Sequence, residues 1–245
     1  GSEIRYTTDC EAPTAASALY SAPLAIGNTA VFRAAAFKSG FAPSAIDTHT
    51  YISSDSVMRQ PSAPAGYPST WAGYAADYEM NPAVVAAYGT GLTNALKALP
   101  SLSIVTTISN LFDAATGIYT HPTGNTWERP VSVEWIDADN DSRFQIDCGL
   151  QIQGGAFRNF SLSMKKSFSL QFRGIYGETK LDEDLFGDSG GTVKSFDDLV
   201  LRAGANDAWN KWGHQKTQYI VDEFVRRSHL AMGGWSPHGR FAHLY

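Results

Sequence analysis

The sequence predicts an α+β fold in two modules, an all-β segment followed by a mixed segment of strands and helices. Three observations carry this reading. Residues 3–52 hold short β-prone runs separated by Asp, Pro, Gly and Asn. Beyond Leu102, several stretches alternate apolar and polar residues with the period of a half-buried strand. One stretch, Tyr219–Ser228, repeats at helical spacing instead and puts Ile220, Phe224 and Arg227 on one side before Gly233-Gly234. With 245 residues and 43% apolar content, the chain can bury a core in one or two domains.

In order along the chain, Ile4–Thr8 and Ala30–Phe37 read as the clearest strands of the first module, residues 1–53. Residues 54–100 form a Pro-rich connector: Pro61, Pro64, Pro68 and Pro82 favour extended backbone. A short helix is expected within it, because Asn81 can cap and Pro82 suits the first helical position, with Gly89 as its stop. Leu92 to Leu99 can add a further turn or two. Residues 101–245 make the second module. Its strand candidates are 102–107, 131–136, 145–153, 167–173 and 199–202, which build an antiparallel or mixed sheet. Phe241-Ala242-His243-Leu244-Tyr245 reads as one more strand that should enter a sheet.

The first module carries Ile4-Arg5-Tyr6-Thr7-Thr8-Asp9, Glu11-Ala12-Pro13-Thr14, Leu19-Tyr20, Pro23-Leu24, Val31 to Phe37, Gly40-Phe41 and Pro43-Ser44 in that order. It resembles the chitobiase/β-hexosaminidase C-terminal module, an immunoglobulin-like sandwich that often serves as a spacer on secreted glycan-active proteins. That family has strands ahead of the tyrosine-threonine run, so the resemblance implies a partial sandwich here. Gly1-Ser2 reads as a tag scar.

The second module shows Gly117-Ile118-Tyr119, Trp127-Glu128-Arg129-Pro130, Val133-Glu134 and Gly149-Leu150-Gln151-Ile152-Gln153-Gly154-Gly155. Lys165-Lys166-Ser167-Phe168, Tyr176-Gly177, Leu185-Phe186-Gly187 and Leu199 to Gly204 follow. Asn206-Asp207, Tyr219 to Asp222 and His238-Gly239-Arg240 complete the series. Taken together, these resemble the CotH kinase-like (spore-coat protein kinase) family. The fold class implied is a partial Ig-like β-sandwich followed by the N-terminal part of an atypical kinase-like α+β domain. The resemblance further implies a secreted bacterial enzyme, extracellular or at the cell surface, that transfers phosphate from ATP to protein serines with Mg. The family's metal-binding and catalytic aspartates lie past the point matching Tyr245, so this chain alone is expected to be inactive, with no catalytic or metal residue assigned. It is also expected to self-associate or to pair with a complementing C-terminal half.

Phosphoryl transfer needs cations on the phosphates and carboxylates around them. Four residues are cofactor-binding candidates by their place in the resemblance: Lys166, Arg158, Arg202 and Asp207. Each has a plain alternative. Lys166 can be a solvated strand lysine, as Lys165 is expected to be. Gly154-Gly155 beside Arg158 can be only a turn, and Phe157 stands where the family usually has serine. Arg202 can pair with Asp207 or Asp222 and hold the fold, and a structural role is favoured for Asp207. Glu128 and Arg129 read as a buried ion pair, and Asp222 and Glu223 suit the dipole of a helix start.

Other chemistry finds little support. A net charge of -5 gives no attraction for nucleic acid or an anionic membrane. No apolar run approaches the roughly 20 residues that a membrane helix needs. Cys10 and Cys148 are expected as free thiols, and the six histidines lack zinc spacing. Asp137, Asp139 and Asp141 alternate like a calcium loop but lack its glycine and closing glutamate, so a solvated turn is expected. The alternative function is a non-catalytic glycan-binding or surface-attachment module, using aromatics such as Trp209 and Trp212 to stack on sugars. The partners expected are thus a protein substrate or a glycan.

Overall fold

The structure, a computed structural model, describes residues 1–123, 127–137, 142–187, 193–204, 207 and 217–245. Over those residues the chain is a mixed α and β protein, mostly strands with few helices, and its start is sandwich-like. The first sheet contains β1 (Glu3–Thr7), β2 (Ala18–Leu19), β3 (Ala30–Phe37) and β4 (Asp47–Tyr51) in the order β2-β1-β3-β4. All its pairings are antiparallel. Because side chains alternate along each strand, the register puts Tyr6, Phe32 and Tyr51 on one face and Arg33, Thr48 and Thr50 on the other. The aromatic face holds together by ring contacts, Tyr6 to Phe32 at 6.3 Å and Phe32 to Tyr51 at 5.9 Å.

The connector is more folded than its prolines suggest. Helix α1 (Ser54–Met58) starts at Ser53, whose hydroxyl accepts from Ser56 N. Strands β5 (Thr70–Trp71) and β6 (Tyr74–Ala75) form a tight hairpin. Ala72 and Gly73 both take positive φ in its turn, as a two-residue hairpin of matching twist requires. Helix α2 (Pro82–Lys97) has Asn81 accepting from Ala83 N at 2.9 Å with Pro82 in its first turn. Gly89 (φ 45°, ψ -119°) interrupts the helix without ending it, and a second helical stretch continues to Lys97.

The second sheet has six strands: β7 (Ser101–Val105), β8 (Arg129–Asp137), β9 (Ser142–Gln153), β10 (Ser167–Gln171), β13 (Asp198–Leu201) and β14 (His243–Leu244). Their order is β13-β10-β9-β8-β7-β14. All neighbours are antiparallel except β14, which joins β7 in parallel. Strands β11 (Leu181–Asp182) and β12 (Ser195–Phe196) form a separate pair. Helix α3 (Ile108–Phe112) follows β7, and helix α4 (Val221–Ala231) precedes β14.

This sheet is two-sided by chemistry. Register aligns Val133 with Ile146, Leu150 with Leu170 and Ile152 with Phe168 on one face, which is the main apolar core together with Trp135, Leu181 and Leu185. The opposite face carries Ser103, Ser132, Glu134, Gln145, Asp147, Gln151 and Ser169. The polar face is covered in part by β4. Thr50 and Ser103 share a buried hydroxyl hydrogen bond of 2.9 Å, and Arg143 bridges Thr50 O (3.0 Å) and Glu134 Oε1 (2.6 Å). Glu134 is fully buried there. No helix among the described residues is long and apolar enough to cross a membrane.

Candidate functional site

The apolar core needs a cover at the end where β8 stops and β9 begins, and the cover that meets it is polar. A cleft of about 590 Å³ lies there, lined by Asp137, Asp184, Glu223, Arg227, His238 and Arg240. Arg240 is fixed three ways: it pairs with Asp137, donates to Leu185 O at 3.2 Å and stacks 5.1 Å over the Trp135 ring. Glu223 is buried, and its carboxylate takes Arg227 Nε at 2.7 Å with Arg226 Nη2 at 3.4 Å. Gly239 permits this packing, because a Cβ on it would lie 2.3 Å from Glu223 Oε2. Asp184 is held below the usual carboxylate range, first by the hydrogen bond from Lys194 and then by Gly187 N.

Helix α4 therefore turns its polar side inward. Spacing predicts Ile220, Phe224 and Arg227 on one side, but Ile220 and Phe224 are exposed, Phe224 at 69%, while Arg227 lines the cleft with Glu223. The helix also begins later than expected, because Tyr219 has φ 61° and Ile220 acts as its cap.

The four candidates from the sequence fall into two pairs at the other end of the sheet, where β9 ends, β10 begins and β13 ends. Lys166 and Arg158 share the loop between β9 and β10. Arg158 is buried, and its Nε donates to Gly154 O. Lys166 is also buried; its ammonium donates to Ser163 O (2.5 Å) and Phe157 O (3.3 Å) and sits 3.8 Å from the Phe160 ring centre. Burial pushes the Lys166 ammonium down to about 8. Lys165 next to it is exposed.

Arg202 and Asp207 meet at the start of α4. Arg202 is half-exposed and pairs with Asp222 rather than Asp207. Asp207 accepts from Gln218 N at 2.9 Å and Val221 N at 3.2 Å, so its carboxylate caps the helix. Neither Lys166 nor Arg202 lines the cleft, although Asp222, which holds Arg202, adjoins Glu223 in the chain. Glu128 does not pair with Arg129 as expected. It sits against Gly149, where a Cβ would be 2.5 Å from its Oε1, and pairs with Arg173 at 3.3 Å. Arg129 instead donates to Thr116 O and to Glu128 O.

Asp139 and Asp141 of the calcium-like alternation, and Asn206, Trp209 and Trp212, lie outside the described residues. Among the described residues no group of three or more His, Cys, Asp or Glu could hold a metal ion. Cys10 and Cys148 are separate thiols. Asp184 and the pairing of Asp137 with Arg240 carry no local signal in the sequence beyond the His238-Gly239-Arg240 triplet.

Residues 1–48 match the family model described as the chitobiase/beta-hexosaminidase C-terminal domain. No curated protein and no solved structure matches the chain.

Proposed function

We propose that the chain is part of a secreted CotH-like ATP-dependent protein (Ser) kinase, in which it contributes contacts to the nucleotide phosphates without completing a catalytic centre. The observation that carries this reading is that Arg202 after β13 comes to the same end of one sheet as Lys166 and Arg158 in the loop between β9 and β10. Cations at strand ends suit phosphate, whose charge must be neutralised before transfer. The cleft along the inner side of α4 is a separate place, and none of these three cations lines it.

The cations supply charge for phosphate, but the described residues offer no group that would hold magnesium. What this chain supplies is position and charge. Calorimetric titration with ATP, with and without Mg, tests the reading: saturable binding is expected, weakened at least tenfold by Arg202→Ala, whose exposed side chain makes misfolding a poor explanation for the loss. Lys166→Ala should weaken it too. Absence of binding, or binding indifferent to both substitutions, overturns the proposal.

A second reading is favoured by the family match of residues 1–48: a non-catalytic glycan-binding or surface-attachment module. A glycan array probed with the whole chain tests it, and a blank array counts against it.

A further inference from the structure

A second cavity, of about 290 Å³, lies between the two sheets and has walls from both modules. Arg33 enters it from β3 and Asp147 from β9. Arg33 Nη1 donates to Cys10 O at 3.0 Å, while its buried Nε has no acceptor. Asp147 accepts from Gln145 Nε2 at 3.0 Å and from the Ser132 hydroxyl. Burial raises its carboxyl, and the Ser132 hydroxyl and the Arg33 guanidinium offset part of that rise. Arg33 is near enough to be felt by Asp147, yet the two make no ion pair.

The remaining wall is mixed. Asn110 gives its amide nitrogen to Thr106 Oγ1 (2.7 Å) and Pro130 O (3.3 Å), which turns its carbonyl oxygen into an available acceptor. Tyr176 adds a phenol that also bonds Glu128, and Val105 adds apolar surface. Ile175, 78% exposed, stands at the rim.

We infer that this cavity binds a single sugar ring, with Arg33 donating to one ring hydroxyl and Asp147 accepting from another. The chemistry selects the class. A phosphate or carboxylate ligand would satisfy Arg33 but face the charge of Asp147, and an ammonium ligand would do the reverse. An apolar ligand would leave the buried Arg33 Nε unpaired, at a cost of about 1–3 kcal/mol. A polyol brings donors and acceptors together, and its C–H face suits the Val105 side. The volume is at the small end for ligand sites, about right for one ring. The inference rests on the glycan reading of the chain, to which it gives a location, and is independent of the nucleotide reading.

The test uses the whole chain and the methyl glycosides of glucose, galactose, mannose and N-acetylglucosamine, followed by ligand-observed NMR. At least one should bind, and both Asp147→Asn and Ile175→Trp should weaken it tenfold or more. The second variant changes only an exposed rim residue and closes the mouth, so its loss does not depend on folding. Binding that persists in both variants overturns the inference but leaves the glycan reading standing. So does an array positive only for longer glycans while all four monosaccharides fail. A blank array together with four negative titrations overturns both.

Discussion

Lys166 shows how much a single buried cation depends on its surroundings. Its ammonium is out of water, held by two backbone carbonyls and the Phe160 ring, and burial lowers it to about 8. A lysine whose folded value lies below its unfolded value near 10.5 binds its proton less tightly when folded. Its burial therefore disfavours folding fully below pH 8, and that penalty disappears as pH rises through the window from about 8 to 10.5. The stability of the wild type should rise across this window by on the order of 1 kcal/mol relative to Lys166→Met, which keeps the stem and removes the charge. Urea unfolding of both proteins at pH 7.5 and pH 10 measures it; parallel pH profiles would remove the lysine as the cause.

At the scale of elements, α2 and α4 show backbone and packing overriding local pattern. Gly89 sits at φ 45° and ψ -119°, a conformation that L side chains rarely adopt, yet open space surrounds its missing Cβ. Gly89→Ala should therefore cost about 1–3 kcal/mol through backbone strain alone, despite adding helix propensity. Thermal unfolding checks this, and an unchanged or higher melting temperature would mean that the kink relaxes to a straight helix. In α4 the polar side is inward because Glu223, Arg227 and Leu230 face the cleft while Arg240 and Gly239 close it from the other side. Strand β14 then completes the sheet edge, with His243 N donating to Pro100 O and Tyr245 N to Leu102 O.

At the scale of the molecule, the first sheet is joined to the second through polar groups. The Thr50–Ser103 bond, the Arg143 bridge and the buried Glu134 carboxylate make up the junction, with His49 Nδ1 3.9 Å from Glu134 Oε1. Glu134 Oε2 and Thr48 Oγ1 are buried there without partners, so the junction has little slack for further loss. Arg143→Ala removes the main charge opposite Glu134. Breaking a buried pair costs about 3–5 kcal/mol, and because Arg143 is 39% exposed we expect roughly half of that. Denaturant titration should show the loss, with the first sheet's transition separating from that of the second. A change below about 0.5 kcal/mol would mean that the junction is held by something else.

Much of the strand layout was legible because its signal is local. Runs such as Ala30–Phe37 and Ser167–Gln171 alternate or concentrate β-prone residues, and pleating alone turns that into faces. The start of α2 was equally legible, since Asn81 and Pro82 cap it through their own side chain and ring. The candidate site was legible only as residue types. That Lys166 is buried under Phe160, that Arg202 chooses Asp222 and that Asp207 caps α4 depend on loops brought together by the sheet. The pairing of Asp137 with Arg240 joins residues far apart in the chain, and the cavity between Arg33 and Asp147 exists only because one sheet lies against the polar face of the other. Local sequence fixes which groups a strand or helix start presents; the long-range packing of those elements decides which groups meet, because charge pairing and burial depend on distance in space and not along the chain.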